Sequence, residues 1–214
     1  MSTSRENMIA NLTQDLAPVR AYSARDGAAL LAIAGGLTVV GVLLIDGFWH
    51  GVANGEASAF FWVTNGVLAL LGLASSAAVI SMASPRVGSR SDAPLWLGAM
   101  LAILPIVAVL SVVRHQHGIE AIAEDMYGTY CLSHALFSSV LMFASLTFWL
   151  RRGAPVSVNN AGWLTGIAAG ALGAVAYGMS CSMDSVSHLG VWHVAPVIIA
   201  AIAGRLIVPS LVRW

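Results

Sequence analysis

Two cysteines and six histidines carry whatever metal or redox chemistry this 214-residue chain can do. Cys131 and Cys181 are the only thiols, and the sequence holds no Cys-x-x-Cys or His-x-x-x-His pair. Thiolate with imidazole suits zinc and softer ions such as cadmium or mercury. His134 stands three residues after Cys131, on the same side of a helix, while His188 and His193 follow Cys181 closely. Cys131, His134, Cys181 and His193 therefore make a candidate metal set, although no short metal-binding spacing marks it. The same two sulfurs would form a reversible disulfide if their alpha carbons approached within about 7 Å. The plainer alternative is that each thiol is a small apolar packing residue.

Whether these groups can meet depends on the elements that carry them. Of the residues, 58% are hydrophobic and only 9% charged, against roughly 25% charged in an ordinary soluble domain. Six long charge-free stretches run over 27–45, 57–85, 93–113, 126–150, 153–183 and 185–204. A helical membrane crossing takes about 20 mostly apolar residues, so each stretch makes one. The expected fold is all-α, a six-transmembrane-helix bundle with spans near 27–45, 60–82, 94–113, 128–149, 161–181 and 189–208. A polar tail, residues 1–26, precedes the transmembrane domain, 27–214. The tail has no apolar core suited to a cleavable signal peptide, and no room remains for a second globular domain.

The arginines orient the bundle. All ten basic residues are Arg, and nine of them fall in the tail, the second and fourth inter-span loops and the C-terminal end. Only Arg114 lies in an alternate loop. The positive-inside rule then puts both termini in the cytoplasm. Asp46, Glu56, Glu120, Glu124, Asp125 and Asp184 go outside, as do all six histidines. Cys131, one turn into span four, and Cys181, at the end of span five, share the outer face. That compartment is oxidising, which favours a thiol switch or soft-metal capture.

Other features narrow the function. No span carries a charge near its middle, which counts against a proton-coupled or metal-ion transporter. The wide cysteine separation counts against a membrane thiol–quinone redox enzyme, and no nucleophile–base motif suggests an enzyme of another kind. Gly162, Gly166, Gly170, Ala174 and Gly178 repeat every four residues, which suits close packing within the bundle or across a homodimer. Pro105 and Pro196 are expected to kink spans three and six. In the tail, Thr3 and Glu6 have capping-box spacing. Met8, Ile9, Leu12 and Leu16 then form one apolar stripe of a short amphipathic helix that Pro18 ends. Such a helix gains stability when a partner's groove covers it.

The tail continues Asp15-Leu16-Ala17-Pro18-Val19-Arg20. The second half holds Arg151-Arg152-Gly153-Ala154-Pro155, then Ala161-Gly162, Tyr177, Cys181, Asp184-Ser185, Trp192 and a closing Val212-Arg213-Trp214. In this order and spacing the chain resembles, over essentially its whole length, the NrsF family of bacterial integral-membrane anti-sigma factors. The resemblance implies that the N-terminal tail sequesters an extracytoplasmic-function sigma factor at the membrane. Oxidative or heavy-metal stress on the periplasmic side would release it. It also implies sigma-binding positions at Asp15, Leu16, Pro18, Val19 and Arg20, and sensor positions at Cys131 and Cys181. The partners would be that sigma factor and the lipid bilayer, with no direct nucleic-acid contact. No cofactor is required, and zinc or another soft metal at the periplasmic face is the one candidate ligand. The chain departs from the family pattern at Ala21-Tyr22, in place of a second basic residue. It departs again around Cys181, where Ser180 replaces histidine and Ser182-Met183-Asp184 replaces a proline and an acidic residue.

Overall fold

Helices let charge-free segments satisfy their own backbone hydrogen bonds in an apolar setting, and every regular element among the described residues is a helix. The computed structural model describes residues 2–14, 23–84 and 125–212, with ten further helical positions between 96 and 110. The elements are α1 (Ser2–Gln14), α2 (Ala24–Ile45), α3 (His50–Ala53) and α4 (Ala59–Met82), then α5 (Gly128–Arg151), α6 (Val158–Gly178), α7 (Val186–Trp192) and α8 (Ala195–Val212).

Five stretches are long and apolar enough to cross a membrane: Ala24–Ile45, Ala59–Met82, Gly128–Arg151, Val158–Gly178 and Val186–Val212. They coincide with five of the six expected spans to within four residues at each end. The expected span at 94–113 lies largely outside the described residues. In the tail, α1 runs over Ser2–Gln14. Met8, Ile9 and Leu12 are all exposed, and residues 15–22 lie outside the described residues.

Serines set several helix starts, because a hydroxyl at that position accepts one of the free amides of the first turn. Ser58 Oγ accepts from the Phe61 amide at 3.1 Å and Ser185 Oγ from the His188 amide at 3.2 Å. The last crossing is broken in two as Pro196 requires. Without an N–H, Pro196 cannot donate to the carbonyl four residues back. The helix accordingly stops at Trp192 and restarts at Ala195.

α6 is the axis of the bundle and contributes to both apolar clusters. Its Ala171, Ala174 and Tyr177 join Leu68, Leu71, Cys131, Cys181 and Val194 at one end. Its Ala161 and Ala168 join Val79, Leu146, Leu150 and Val208 at the other. The glycine stripe explains how neighbours come so close. A Cβ at Gly170 would lie 2.8 Å from the Pro196 carbonyl oxygen, and one at Gly173 2.7 Å from the Ser139 amide nitrogen. A Cβ at Gly162 would meet the Gly204 carbonyl at 2.5 Å, and one at Gly166 would run into the Ala200 carbonyl. The first three stripe residues thus pack on α8 of the same chain.

The two ends of the bundle differ in chemistry. Asp46, Asp125 and Asp184 cluster with the loops at the thiol end, whereas Arg25, Arg151 and Arg152 stand where α2 begins and α5 finishes. At the arginine end the Ala154 amide donates to the Ala83 carbonyl at 2.9 Å. There too the Trp149 indole donates to the Ile80 carbonyl at 3.2 Å.

These contacts make α6 intolerant of side chains on its α8 face. Gly166→Leu should destabilise the detergent-solubilised protein by about 1–3 kcal/mol, the usual cost of overpacking. Gly35→Ala, where nothing lies within 4 Å, should be neutral or stabilising. Thermal unfolding of both variants checks this, and equal behaviour would contradict the packing.

Candidate functional site

The thiol end is assembled by its loops before any of its reactive groups meet. Asp184 accepts from the Ser58 amide at 2.6 Å and from the Ser58 hydroxyl at 2.7 Å. It thereby ties the 179–185 loop to the start of α4, where a negative charge is also favoured by the helix dipole. The Trp49 amide donates to the Met179 carbonyl at 3.0 Å, and the Ser180 hydroxyl donates to the carbonyl of Gly47. Gly47 itself has φ +79, a left-handed turn that glycine adopts without strain. At α5 the absence of a side chain on Gly128 admits the Trp192 indole, whose ring a Cβ there would strike.

Inside this frame four groups converge. Cys131 Sγ and Cys181 Sγ are 3.6 Å apart, and both cysteines are free and buried. Cys181 Sγ is 3.6 Å from His188 Nε2. The two sulfurs and one ring nitrogen each from His188 and His193 all lie within 4.8 Å of one another. Exposure is only 3% and 4% for the cysteines and 1% for each histidine. His188 Nδ1 donates to Asp125 Oδ2 at 2.6 Å, which leaves Nε2 facing the sulfurs as the unprotonated nitrogen. The Tyr177 hydroxyl stands 3.5 Å from Cys131 Sγ. The Cys131 sulfur, with burial adding to its effect, pushes the Cys181 thiol above its ordinary value. The physical cause is the hydrogen bond that the Cys181 thiol shares with the Cys131 sulfur, which favours its protonated form.

Cys131, Cys181 and His193 of the expected metal set come together, but His134 does not join them. Three residues turn a helix by about 300°, so His134 is rotated from Cys131 toward α2. Its ring lies 3.8 Å from that of Tyr130, its Nδ1 3.0 Å from the Tyr130 carbonyl and its Nε2 3.6 Å from Asp46. The fourth member of the buried cluster is His188. Asp125 and Tyr177 were not singled out from the sequence as part of it. Tyr177 does precede Cys181 by one helical turn, a usable signal. Nothing in the sequence links Asp125 to His188, 63 positions away. Asp15, Leu16, Pro18, Val19 and Arg20 lie outside the described residues.

Comparison with known proteins gives a consistent picture. The family model of NrsF, described as negative regulator of sigma F, matches residues 12–214. A probable anti-sigma-F factor of Azospira oryzae is 27% identical over 219 residues, covering 98% of this chain and 99% of the relative. The anti-sigma-F factor of Caulobacter vibrioides is 27% identical over 193 residues, covering 86% of this chain and 88% of the relative. No solved structure matches.

The Asp184–Ser58 link holds Cys181 in place. Asp184→Ala should lower stability by about 1–3 kcal/mol, the cost of losing hydrogen bonds to a charged group. It should also speed alkylation of Cys181 several-fold relative to the intact protein. Unchanged alkylation, followed by mass spectrometry, would show that the loop does not shield the thiol.

Proposed function

Because this chain belongs to the NrsF family of negative regulators of sigma F, a family of regulatory proteins and not of enzymes, we propose the following mechanism for it as an anti-sigma factor. It spans the inner membrane with both termini in the cytoplasm, and its N-terminal tail holds an extracytoplasmic-function sigma factor. Cys131 and Cys181 face the periplasm and sense oxidative or heavy-metal stress, and their reaction releases the sigma factor. The observation that carries the sensor reading is the meeting of the only two thiols, 3.6 Å apart, at one end of the bundle.

The membrane topology draws on two supports. Among the described residues, Arg25, Arg151 and Arg152 gather at one end, as the positive-inside rule asks, and Asp46, Asp125 and Asp184 at the other. α4 and α5 both finish at the arginine end, where the Ala83 carbonyl accepts from Ala154, and this parallel run supports a further crossing between them, six in all.

α2 supplies a route from thiols to tail. Its far end meets the cysteine loops: the Tyr130 hydroxyl donates to Asp46 at 3.4 Å, and Ser180 reaches the adjoining Gly47. Its near end, which follows directly from the tail, packs Gly27 against Trp149 and Ile80, leaving only 2.8 Å between a would-be Cβ and the indole. Reaction of the thiols would move the 179–185 loop and so the end of α2. Packed helices have discrete alternative arrangements, so a small shift at one end is transmitted as a change of packing at the other. Asp15, Leu16, Pro18, Val19 and Arg20 would then lose their geometry on the sigma factor.

Two experiments test the two halves. Leu16→Ala and Val19→Ala should each remove roughly 1–3 kcal/mol from the sigma interface, and deletion of residues 1–25 should abolish co-purification of a sigma factor encoded beside it. Retention of the sigma factor without the tail would overturn the binding reading. The Cys131→Ser, Cys181→Ser variant should still repress a sigma-dependent reporter but lose its response to oxidant or cadmium. A normal response would overturn the sensor reading alone.

A further inference from the structure

We propose that Cys131, Cys181, His188 and His193 form a tetrahedral Cys2His2 site for one thiophilic divalent cation of the zinc class. Asp125 positions His188 for this role. The proposal deepens the sensor reading above and rests on it for any regulatory consequence. The binding itself rests on the arrangement of the four side chains.

Two of the six ligand-atom distances are those of a tetrahedron. At ordinary zinc bond lengths, two ligating sulfurs stand about 3.8 Å apart, and a sulfur and a nitrogen about 3.6 Å apart. Cys131 Sγ to Cys181 Sγ and Cys181 Sγ to His188 Nε2 are both 3.6 Å. The sulfurs are thus well beyond the roughly 2 Å of a disulfide. The remaining ligand-atom separations do not exceed 4.8 Å, within reach of small side-chain rotations.

His193 points to a ligand independently. It is 1% exposed, and neither ring nitrogen makes a hydrogen bond of ordinary geometry among the described residues, although the Cys131 sulfur lies beside the ring. A buried polar group left in that state costs about 1–3 kcal/mol. Coordination by one nitrogen removes that penalty for the lone pair that faces the cluster. Local neighbours provide for neither this ring nor the hydroxyls of Thr64, Ser75, Thr147 and Thr165, although they do for several other buried hydroxyls. Ser76 and Ser138, for example, donate to the carbonyls of Gly72 and His134 at 2.7 Å each.

The surroundings also fit. A metal-bound histidine usually donates its second ring N–H to a carboxylate, which fixes the tautomer and raises basicity. His188 does so to Asp125 at 2.6 Å. The Tyr177 hydroxyl, 3.5 Å from Cys131 Sγ, is placed to donate to a ligating thiolate. On binding, the cation sheds its water ligands, two S–H protons leave to solvent, two metal–sulfur and two metal–nitrogen bonds form, and nothing is oxidised or reduced. A dication with two thiolates and two neutral imidazoles sums to zero charge, which suits a site nine-tenths buried within an apolar bundle. Four protein ligands leave no open position, so the site suits holding structure and not catalysis. The ligands come from α5, the 179–185 loop, α7 and the α7–α8 junction, so a cation would clamp these segments together.

Cobalt(II) is the probe, since its visible spectrum distinguishes tetrahedral sulfur–nitrogen coordination from octahedral hydration. The full-length protein, purified in detergent and treated with chelator, is titrated with Co2+ and then Zn2+. One Co2+ per chain should bind with an intense tetrahedral spectrum and a thiolate charge-transfer band, and Zn2+ should displace it. Cys181→Ser and His193→Ala should lose stoichiometric binding, whereas His134→Ala should bind as the wild type does. Asp125→Asn should keep the spectrum and weaken affinity about 10–100-fold, the usual effect of losing an outer-shell partner. Substoichiometric binding, an octahedral spectrum in the wild type, or loss of binding on His134→Ala would overturn the proposal. The wild-type and Asp125→Asn spectra decide the matter even if His193→Ala does not fold. Sigma-factor retention measured on the same preparations separates failure of this site from failure of the anti-sigma mechanism.

Discussion

How closely α6 can be approached governs the rest of this molecule. Lipid tails are as apolar as leucine, so helices in a bilayer gain little from hiding apolar surface and depend on short-range contact. Along α6 that contact is made backbone to backbone. Gly162 and Gly170 meet the carbonyls of Gly204 and Pro196 on one side, and Gly173 meets the Ser139 amide and Ala135 carbonyl on another. Because α5 can come so near, Cys131 on its first turn reaches the sulfur of Cys181 just past the end of α6. Because α8 can come so near, the helix that leads into it brings His188 and His193 over the same point. Bulkier residues on α6 would push both apart.

The second constraint is the accounting of polar groups in an apolar interior. Most buried hydroxyls resolve it within their own helix, as Thr38 does by donating to the Ala34 carbonyl at 2.9 Å. The loops resolve it across the chain, with Asp184 serving both the amide and the hydroxyl of Ser58. The thiol–imidazole cluster differs, since the donors that face its sulfurs and ring nitrogens are chiefly the weak S–H groups of its own two thiols. Asp125 supplies a partner for one histidine and Tyr177 a hydroxyl for one sulfur, while His193 is served by neither. Such a concentration of soft ligand atoms in a dry place gives the two ends of the bundle distinct chemistry, thiols and imidazoles on one side and adhesive packing of large side chains on the other.

The adhesive end is built around large side chains. Trp149 fills the space beside Gly27 and donates to Ile80, joining α2, α4 and α5. The direct covalent continuation of this end is the tail. α2 therefore runs from the cysteine loops to Ala24, where the tail joins the bundle. Most of its remaining surface is exposed, including Leu37, Val40, Leu44 and Ile45, as expected of a helix that faces lipid along most of its length.

The sequence alone determined the all-helical class and the positions of the five long apolar helices among the described residues, for a physical reason: charge-free runs of about 20 residues have one stable arrangement in a bilayer. It also identified the family, from the order and spacing of motifs along the whole chain, and it put both thiols at one end because helix direction alternates. Proximity was another matter. Cys131 and Cys181 are on different helices, and no spacing rule says how far apart two helices stand or which way each is rotated. His134 looked like the natural companion of Cys131 because three residues nearly complete a turn, yet the remaining rotation carries it to Asp46 and Tyr130. His188 and His193, five apart, would not share a face of an unbroken helix. Both reach the cluster because Pro196 interrupts the hydrogen-bond ladder between them and the rest of the crossing. Asp125 is joined to His188 only through space. Tertiary structure decided these relations, since side-chain distance between segments is fixed by packing, which a linear pattern does not encode.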